Sequence, residues 1–505
     1  MKGQPLTRFV IVGGGTAGWM TAALFARFLD DRYSITLVES DAIGTVGVGE
    51  ATIPMLRFVN QALGFNEAEF AKATQGSFKL GIEFDGWREE GHSYIHAFGG
   101  MGRSISLLPF YQYWLRHRAE GGTKDFWDFS PCAKAAYAHK FAPVEAAPGS
   151  PPTNFAWAYH FDAGLYAKYL RQYAEGRGVT RIEGKIDDVR LDPESGHIAS
   201  LALENGQSIE GDIFIDCSGF VSLLLGKALD VPFDDWSHWL RCDRAWAMPC
   251  EATSPTLPYT RASARKAGWQ WRIPLQHRTG NGHVFCSDHI GEDEARDILL
   301  ANLDGKPTAD PRLLKFTTGM RREAWHKNCV GIGLAAGFME PLESTSIHLV
   351  QSSVDRFLKI LPGDRIAQAD VDEFNRQTRF EWEAIRDFLI LHYHRNARSE
   401  PFWRECATMD IPDRLAQRIA LFEESGRIFR DNDELFTEIG WVQVMLGQGV
   451  TPRAYHPIAG GLAPEKLNEL MQLAERAATQ VVDRMIPHDD FLGRHCAAPS
   501  TMELT

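Results

Sequence analysis

The chain has 505 residues, 44% of them hydrophobic and 24% charged, which suits a soluble globular enzyme of two or three modules. A formal net charge of −13 without any Lys/Arg run argues against general nucleic-acid binding. No apolar stretch is long enough to span a bilayer, and the eight cysteines are scattered without CxxC or Cys/His metal spacing, so no membrane span, no metal and reduced thiols are expected. The N-terminal residues pass almost directly into a strand, so no signal peptide is expected and the cytoplasm is the expected compartment.

Phe9 to Val12 is an apolar run fit for a buried parallel strand. Gly13, Gly15 and Gly18 follow in GxGxxG spacing, before a helical stretch and a second strand, Ile35 to Val38, that ends at Glu39. The first glycine allows a tight turn, the second lets the backbone approach a pyrophosphate, and the third lets helix and strand pack closely. An acid at the position of Glu39 can take ribose hydroxyls. The bland alternative, a Gly-rich turn before an ordinary helix, does not account for strand, helix, strand and acid in register.

Residues 55–90 read as helical and then loop-like. Residues 143–153 are Pro/Ala/Gly-rich, an expected exposed loop, and 163–177 carry a helical pattern. Short strands are expected at 186–191, 198–203 and 212–216, and more over 240–290. There Trp269-Gln270-Trp271-Arg272-Ile273-Pro274 would place both indoles on one face of a strand. Taken alone, that pair could be plain core packing. Beyond about residue 345 the chain turns helical, with amphipathic stretches at 373–396 and 414–429, and with 464–485 expected to close the fold.

Two further strand-to-glycine segments, Asp212 to Gly219 and Cys329 to Gly333, resemble the order found in flavin monooxygenases and favour FAD over NAD. Pro341-Leu342-Glu343-Ser344-Thr345-Ser346 leads into a helix, with Ser344 as the expected cap and free N–H groups around Thr345 and Ser346 as an expected anion site. Glu343 follows an apolar stretch and is expected to be partly buried.

Together, GGGTAGW at 13–19, VGEATIP at 48–54, FKLG at 78–81, WxWxIP at 269–274 and PLESTSI at 341–347 resemble the motifs of the flavin-dependent tryptophan halogenases, in that family's order and over nearly the whole chain. The resemblance implies an α/β, flavin monooxygenase-like FAD-binding fold with an inserted sheet region and a mainly helical C-terminal region. The FAD-binding body would comprise 1–95, about 155–225 and 325–360. The sheet and substrate region would be about 96–154 and 226–324, and residues 361–505 would cover the substrate pocket.

The resemblance also implies roles. FAD, used as FADH2, would be held by Gly13, Gly15, Thr16, Ala17, Gly18, Glu39, Gly49, Ala51 and Gly333. A halide, bromide or chloride, would sit at Thr345 and Ser346 and be oxidised with O2 to hypohalous acid. That oxidant would travel through an internal tunnel to Lys79, with Glu343 assisting. A lysine amine is nucleophilic once neutral, and burial favours that state. His96 and Phe98 would line the substrate pocket beneath the C-terminal region that carries Trp441. Trp269, Trp271, Ile273 and Pro274 would form the barrier that keeps the substrate off the flavin. A separate NAD(P)H-dependent flavin reductase would supply FADH2, since no second nucleotide motif is visible, and a homodimer is one expected assembly.

This chain departs from the pattern at three places. Leu334 stands where many flavin monooxygenases carry an aspartate, which predicts a weaker hold on FAD. Ser346 replaces a glycine of the tryptophan-specific members, which bears on halide preference. The Tyr and Glu residues that clamp free tryptophan do not map onto 431–457, so indole, an indole derivative or another electron-rich aromatic is the expected substrate. Two rival readings are a flavin-dependent aromatic hydroxylase, which needs no halide, and a flavin-binding protein without turnover.

Overall fold

The computed structural model describes residues 5–43, 49–105, 107–146 and 152–499; Val48 of VGEATIP and residues 147–151 of the expected loop lie outside the described residues. The chain divides into two compact units, each assembled from three separated segments. One comprises Met1–Gln75, Phe161–Asp243 and Lys315–Glu383, and the other Gly76–His160, Arg244–Leu314 and Ala384–Thr505.

The first unit is built on a six-stranded sheet in the order Trp325–His326, Cys329–Gly331, Ile213–Asp216, Arg8–Val12, Ser34–Glu39, Thr180–Glu183. All pairings are parallel except that of the outer strand Trp325–His326. Helix Thr16–Phe28 connects two of these strands, the crossover connection that parallel pairing requires. The three strand-to-glycine segments therefore end side by side, as adjacent parallel strands must. Apolar runs such as Phe9 to Val12 are buried on both faces, which a parallel sheet demands. Asp216, fully buried at the end of its strand, accepts bonds from the Ser218, Leu224 and Leu225 amides at 2.8–3.0 Å and so closes the turn beyond it. A separate antiparallel sheet, Ile186–Leu191, Ile198–Leu203 and Ser208–Glu210, packs its apolar side into the same core.

The second unit has a mainly antiparallel sheet containing, in order, Arg244–Glu251, Arg278–Phe285, Gly268–Pro274, Thr260–Arg265, Gly81–Asp85 and Ser93–Ala97. Helix Glu438–Gly447 is fastened to its edge at Ala97. The Gln443 side-chain amide accepts from the Ala97 N–H at 2.9 Å and donates to the Ala97 carbonyl at 3.1 Å. The interior is aromatic, with Trp87 packed edge-on against Trp403 and Tyr393 at 5.2 and 5.1 Å between ring centroids. Each cysteine is buried and none forms a disulfide. Among the described residues no helix is long and apolar enough to cross a membrane, and no cluster of His, Cys, Asp and Glu has the makings of a metal site.

Three local expectations are corrected. Residues 77–79 and 81–85 are strands, not loop, because their partners are supplied by segments far along the chain. The 464–485 segment does not end the fold. Helix Pro464–Val482 is followed by Ile486–Pro487, which pairs with Lys140–Phe141. Ser344 is not the helix cap; it takes the left-handed conformation, φ 59°, after the single turn Pro341–Glu343, and Thr345 precedes the helix instead.

Candidate active site

Gly13, Gly14 and Gly18 of the first loop each answer a different steric demand. Gly13 has φ +114°, and a Cβ there would lie 2.3 Å from the Cys217 carbonyl oxygen. A Cβ on Gly18 would meet the Gly13 carbonyl oxygen at 1.8 Å, so helix and turn can approach only without one. A Cβ on Gly14 would meet the Glu39 carboxylate at 1.3 Å, so this glycine makes room for the acid. Gly15 alone has open space, and it caps a helix whose first-turn N–H groups receive no side-chain cap. Glu39 is oriented by Arg181, Nε to Oε1 2.6 Å, with Arg171 at 3.7 Å. Thr16 donates to the Ala163 carbonyl at 3.3 Å, and Gly333, at φ +65°, abuts Ala17 and Val350. This cradle of open backbone donors and a ribose-type acid fits a dinucleotide. Gly49 and Ala51 lie in the short strand Gly49–Ala51, and Leu334 sits half-buried in the turn Gly333–Ala335.

In the same unit, Pro341–Glu343 makes one tight turn and helix Ser346–Lys359 begins three residues later. Glu343 and Thr345 are buried. Thr345 provides no side-chain cap, so the amides of the first turn keep their positive end for an anion. The helix is locked from behind. Glu381 bonds His348 Nε2 and Arg356 at 2.9 Å each and Ser352 Oγ at 2.8 Å. Burial alone would raise the Glu381 carboxyl, but the His348 hydrogen bond and the Arg356 guanidinium outweigh it and hold it at about 2.

The lysine belongs to the other unit. Strand Ser77–Lys79 pairs antiparallel with Ala158–Asp162, placing Ser77 opposite His160 and Lys79 opposite Ala158. Alternation then sends Ser77 and Lys79 to one face and Phe78 to the other. Phe78 stacks on Phe141 at 4.1 Å, while the Lys79 Nζ, fully buried, lies 5.3 Å from the centroid of Phe98. The Phe98 amide donates to the Leu80 carbonyl at 2.8 Å, which fixes this approach. His96, two residues earlier, lies against Phe388 at 5.5 Å and Phe436 at 6.1 Å. Phe388 stacks on Phe436 at 3.8 Å and meets Trp441 edge-on at 4.7 Å, with the Arg418 guanidinium over that indole at 4.3 Å. The structure thus brings Lys79, Phe98 and His96 into one aromatic-lined region.

Trp269 and Trp271 do share a face of strand Gly268–Pro274, with ring centroids 6.0 Å apart. They differ in setting. Trp269 also touches Trp87, 6.2 Å between centroids, and so joins the interior aromatic packing. Trp271 lies over Gly282 of the neighbouring strand, where a Cβ would come within 2.0 Å of its ring, and its buried indole N–H has no hydrogen-bond partner. Gly282→Ala is therefore expected to displace the Trp271 indole and cost about 1–3 kcal/mol of stability, as overpacking does. Thermal melts and the tryptophan fluorescence spectrum check this; an unchanged spectrum and midpoint would show that the strand glycine is not what seats the indole.

Several residues here escaped sequence reasoning: Arg181 behind Glu39, Gln443 on Ala97, and His160, Thr260 and His488 around the lysine strand. The available signal was polar Ser77 and His160 at inward positions of otherwise apolar segments, but their pairing spans 83 residues of sequence.

A family model described as tryptophan halogenase matches residues 8–464. The 7-chloro-L-tryptophan 6-halogenase KtzR of Kutzneria sp. (strain 744) is 36% identical, over 82% of this chain and 84% of its own length. Among solved structures, Xcc4156, a flavin-dependent halogenase from Xanthomonas campestris, is 47% identical with TM-score 0.95, covering 98% of this chain and 99% of that one. BrvH, a flavin-dependent halogenase from Brevundimonas sp. BAL3, is 42% identical with TM-score 0.93, covering 97% and 99%. With the nucleotide cradle and the buried lysine in place, this chain belongs to the tryptophan halogenase family and is a flavin-dependent halogenase.

Proposed function

We propose that this enzyme uses FADH2, O2 and a halide to halogenate an indole or another electron-rich aromatic, with Lys79 handling the oxidised halogen. The observation that carries the reading is the fully buried Lys79 amine held 5.3 Å from the Phe98 ring, with His96 next along that face. Bound reduced FAD supplies the two electrons with which O2, a proton and halide become hypohalous acid and water. Gly13, Gly15, Thr16, Ala17, Gly18, Glu39, Gly49, Ala51 and Gly333 would hold it, all of them in the unit formed by Met1–Gln75, Phe161–Asp243 and Lys315–Glu383. The uncapped amides at Thr345 and Ser346 would hold the halide.

Lys79 then takes hypohalous acid, either by hydrogen bonding or as a haloamine with loss of water, and passes the halogen to a ring carbon. The aromatic proton leaves to a base; Glu343 is the carboxylate assigned to this assistance. His96, Phe98, Phe388 and Trp441 would hold the flat substrate by ring contacts, which orient it and so select the carbon. Trp269, Trp271, Ile273 and Pro274 would separate it from the oxidising site. A transient flavin reductase partner and a cytoplasmic setting complete the proposal.

The test is turnover with a flavin reductase, NADH, FAD and bromide over a panel of indoles and phenols, read by mass spectrometry. A brominated aromatic product that requires halide is expected. Oxygenated product formed equally without halide would replace this reading by a hydroxylase, and efficient regiospecific turnover of free L-tryptophan would overturn the substrate class.

A further inference from the structure

Lys79 sits on a three-residue strand, too short to hold its own register. What holds it is a buried hydrogen-bond chain that ends on the tryptophan hairpin. The Ser77 hydroxyl donates to the carbonyl of Pro274, the last residue of the tryptophan strand, at 2.6 Å. Its oxygen therefore accepts from His160 Nδ1–H at 3.1 Å. His160 Nε2 is left as the acceptor for the Thr260 hydroxyl at 2.9 Å. Thr260 begins the strand that pairs with the tryptophan strand, so both ends of the chain land on one hairpin. His160 is fully buried and faces Lys79 diagonally across the strand pair, two residues along from its register partner. On the backbone side, His488 Nε2 accepts from the Phe78 N–H at 3.2 Å while its Nδ1–H donates to the Thr256 carbonyl at 2.8 Å. Gln276 grips the Gly76 carbonyl at 2.6 Å, and the Leu80 amide donates to Pro258 at 2.8 Å.

We propose that His160, as a neutral imidazole bonded to Ser77 and Thr260, is a positioning residue for halogen transfer: it clips the Lys79 strand to the tryptophan hairpin and so sets where the amine stands relative to the indole barrier. Both ring nitrogens are used by neutral partners, and burial, then the Lys79 charge, then His488 push the imidazole well below its ordinary range, so it adds no second charge beside the amine. The inference rests on the reading of Lys79 as the halogen-handling residue.

The experiment measures the fraction of oxidised bromide that ends in brominated indole rather than in an added 1,3-diketone trap, with reductase, NADH and FAD supplied. His160→Leu keeps the bulk and removes both hydrogen bonds; the trapped fraction is expected to rise and the indole yield per oxidant to fall roughly 10- to 100-fold, the penalty of a misplacement on the order of an ångström. Ser77→Ala should shift the ratio the same way and less, and His160→Gln should restore part of it. Ser77→Ala also serves as the decisive variant if His160→Leu does not fold. A purely structural role would lower the thermal midpoint and leave the ratio unchanged, which overturns the proposal. Lys79→Ala run in parallel separates the two ideas. If it loses indole bromination while folded His160→Leu or Ser77→Ala keeps the wild-type ratio, the positioning role fails and the Lys79 reading stands. If Lys79→Ala brominates normally, the Lys79 reading itself is wrong.

Discussion

Lys79→Ala is expected to lose organic halogenation by roughly 10²–10⁴-fold, the range typical of removing a positioned proton-transfer or nucleophilic group, while halide-dependent oxidation of reduced flavin continues. The asymmetry follows from location: the dinucleotide cradle and the Thr345–Ser346 helix start belong to one compact unit, and Lys79 to the other. The check is a pair of measurements on one sample, flavin oxidation by absorbance and product by mass. Circular dichroism guards against an unfolded variant, since Lys79 is fully buried. Parallel loss of both activities in a folded variant would place Lys79 at the oxidation step instead. Glu343→Gln should be milder, slowing transfer without releasing more oxidant, because it retains the buried shape and loses only the charge.

The second large effect is acid lability of the unit that carries Lys79. His488 and His283 are both held at about 4 against an ordinary 6.5, chiefly by burial, and His160 lies well below 6.5 for the same first reason. In the unfolded chain all three titrate near 6.5, so below that pH the unfolded state binds more protons and the native state loses stability. The stability these groups hold is whole above pH 6.5 and gone by about pH 4 for His488 and His283, a loss of about 3 kcal/mol each. Glu50, raised to about 7 by burial, works the other way as pH falls, but it belongs to the other unit. Thermal melts stepped from neutral pH to pH 4 should show the midpoint falling through this window. His488→Gln should flatten the dependence, and a flat profile in the unaltered protein would mean these imidazoles are not neutral and buried in the native state.

Much of the nucleotide side was legible in the chain. A strand, a glycine turn, a helix and an acid follow one another within about thirty residues, so their meaning is local, and at Gly13 and Gly18 a Cβ would strike the backbone while the space at Gly15 is open. The pair Trp269 and Trp271 was readable as one face of a strand because alternation is a local rule. The split between them was not. Trp269 owes its place to Trp87, and Trp271 to the bare surface of Gly282, neighbours that only strand register selects. Ser344 was misread for a related reason: a serine before a helix is a good cap in isolation, but the tight turn Pro341–Glu343 forces it into the left-handed region and hands the junction to Thr345.

By itself, then, the sequence determined the order of nucleotide loop, lysine strand, tryptophan strand and helix start, because each is encoded by residues within one element. Tertiary structure alone decided what surrounds Lys79. The partners of its strand come from Ala158–Asp162, Thr256 to Pro274 and His488, hundreds of residues apart, and only β-register and the burial of unpaired polar groups could choose them.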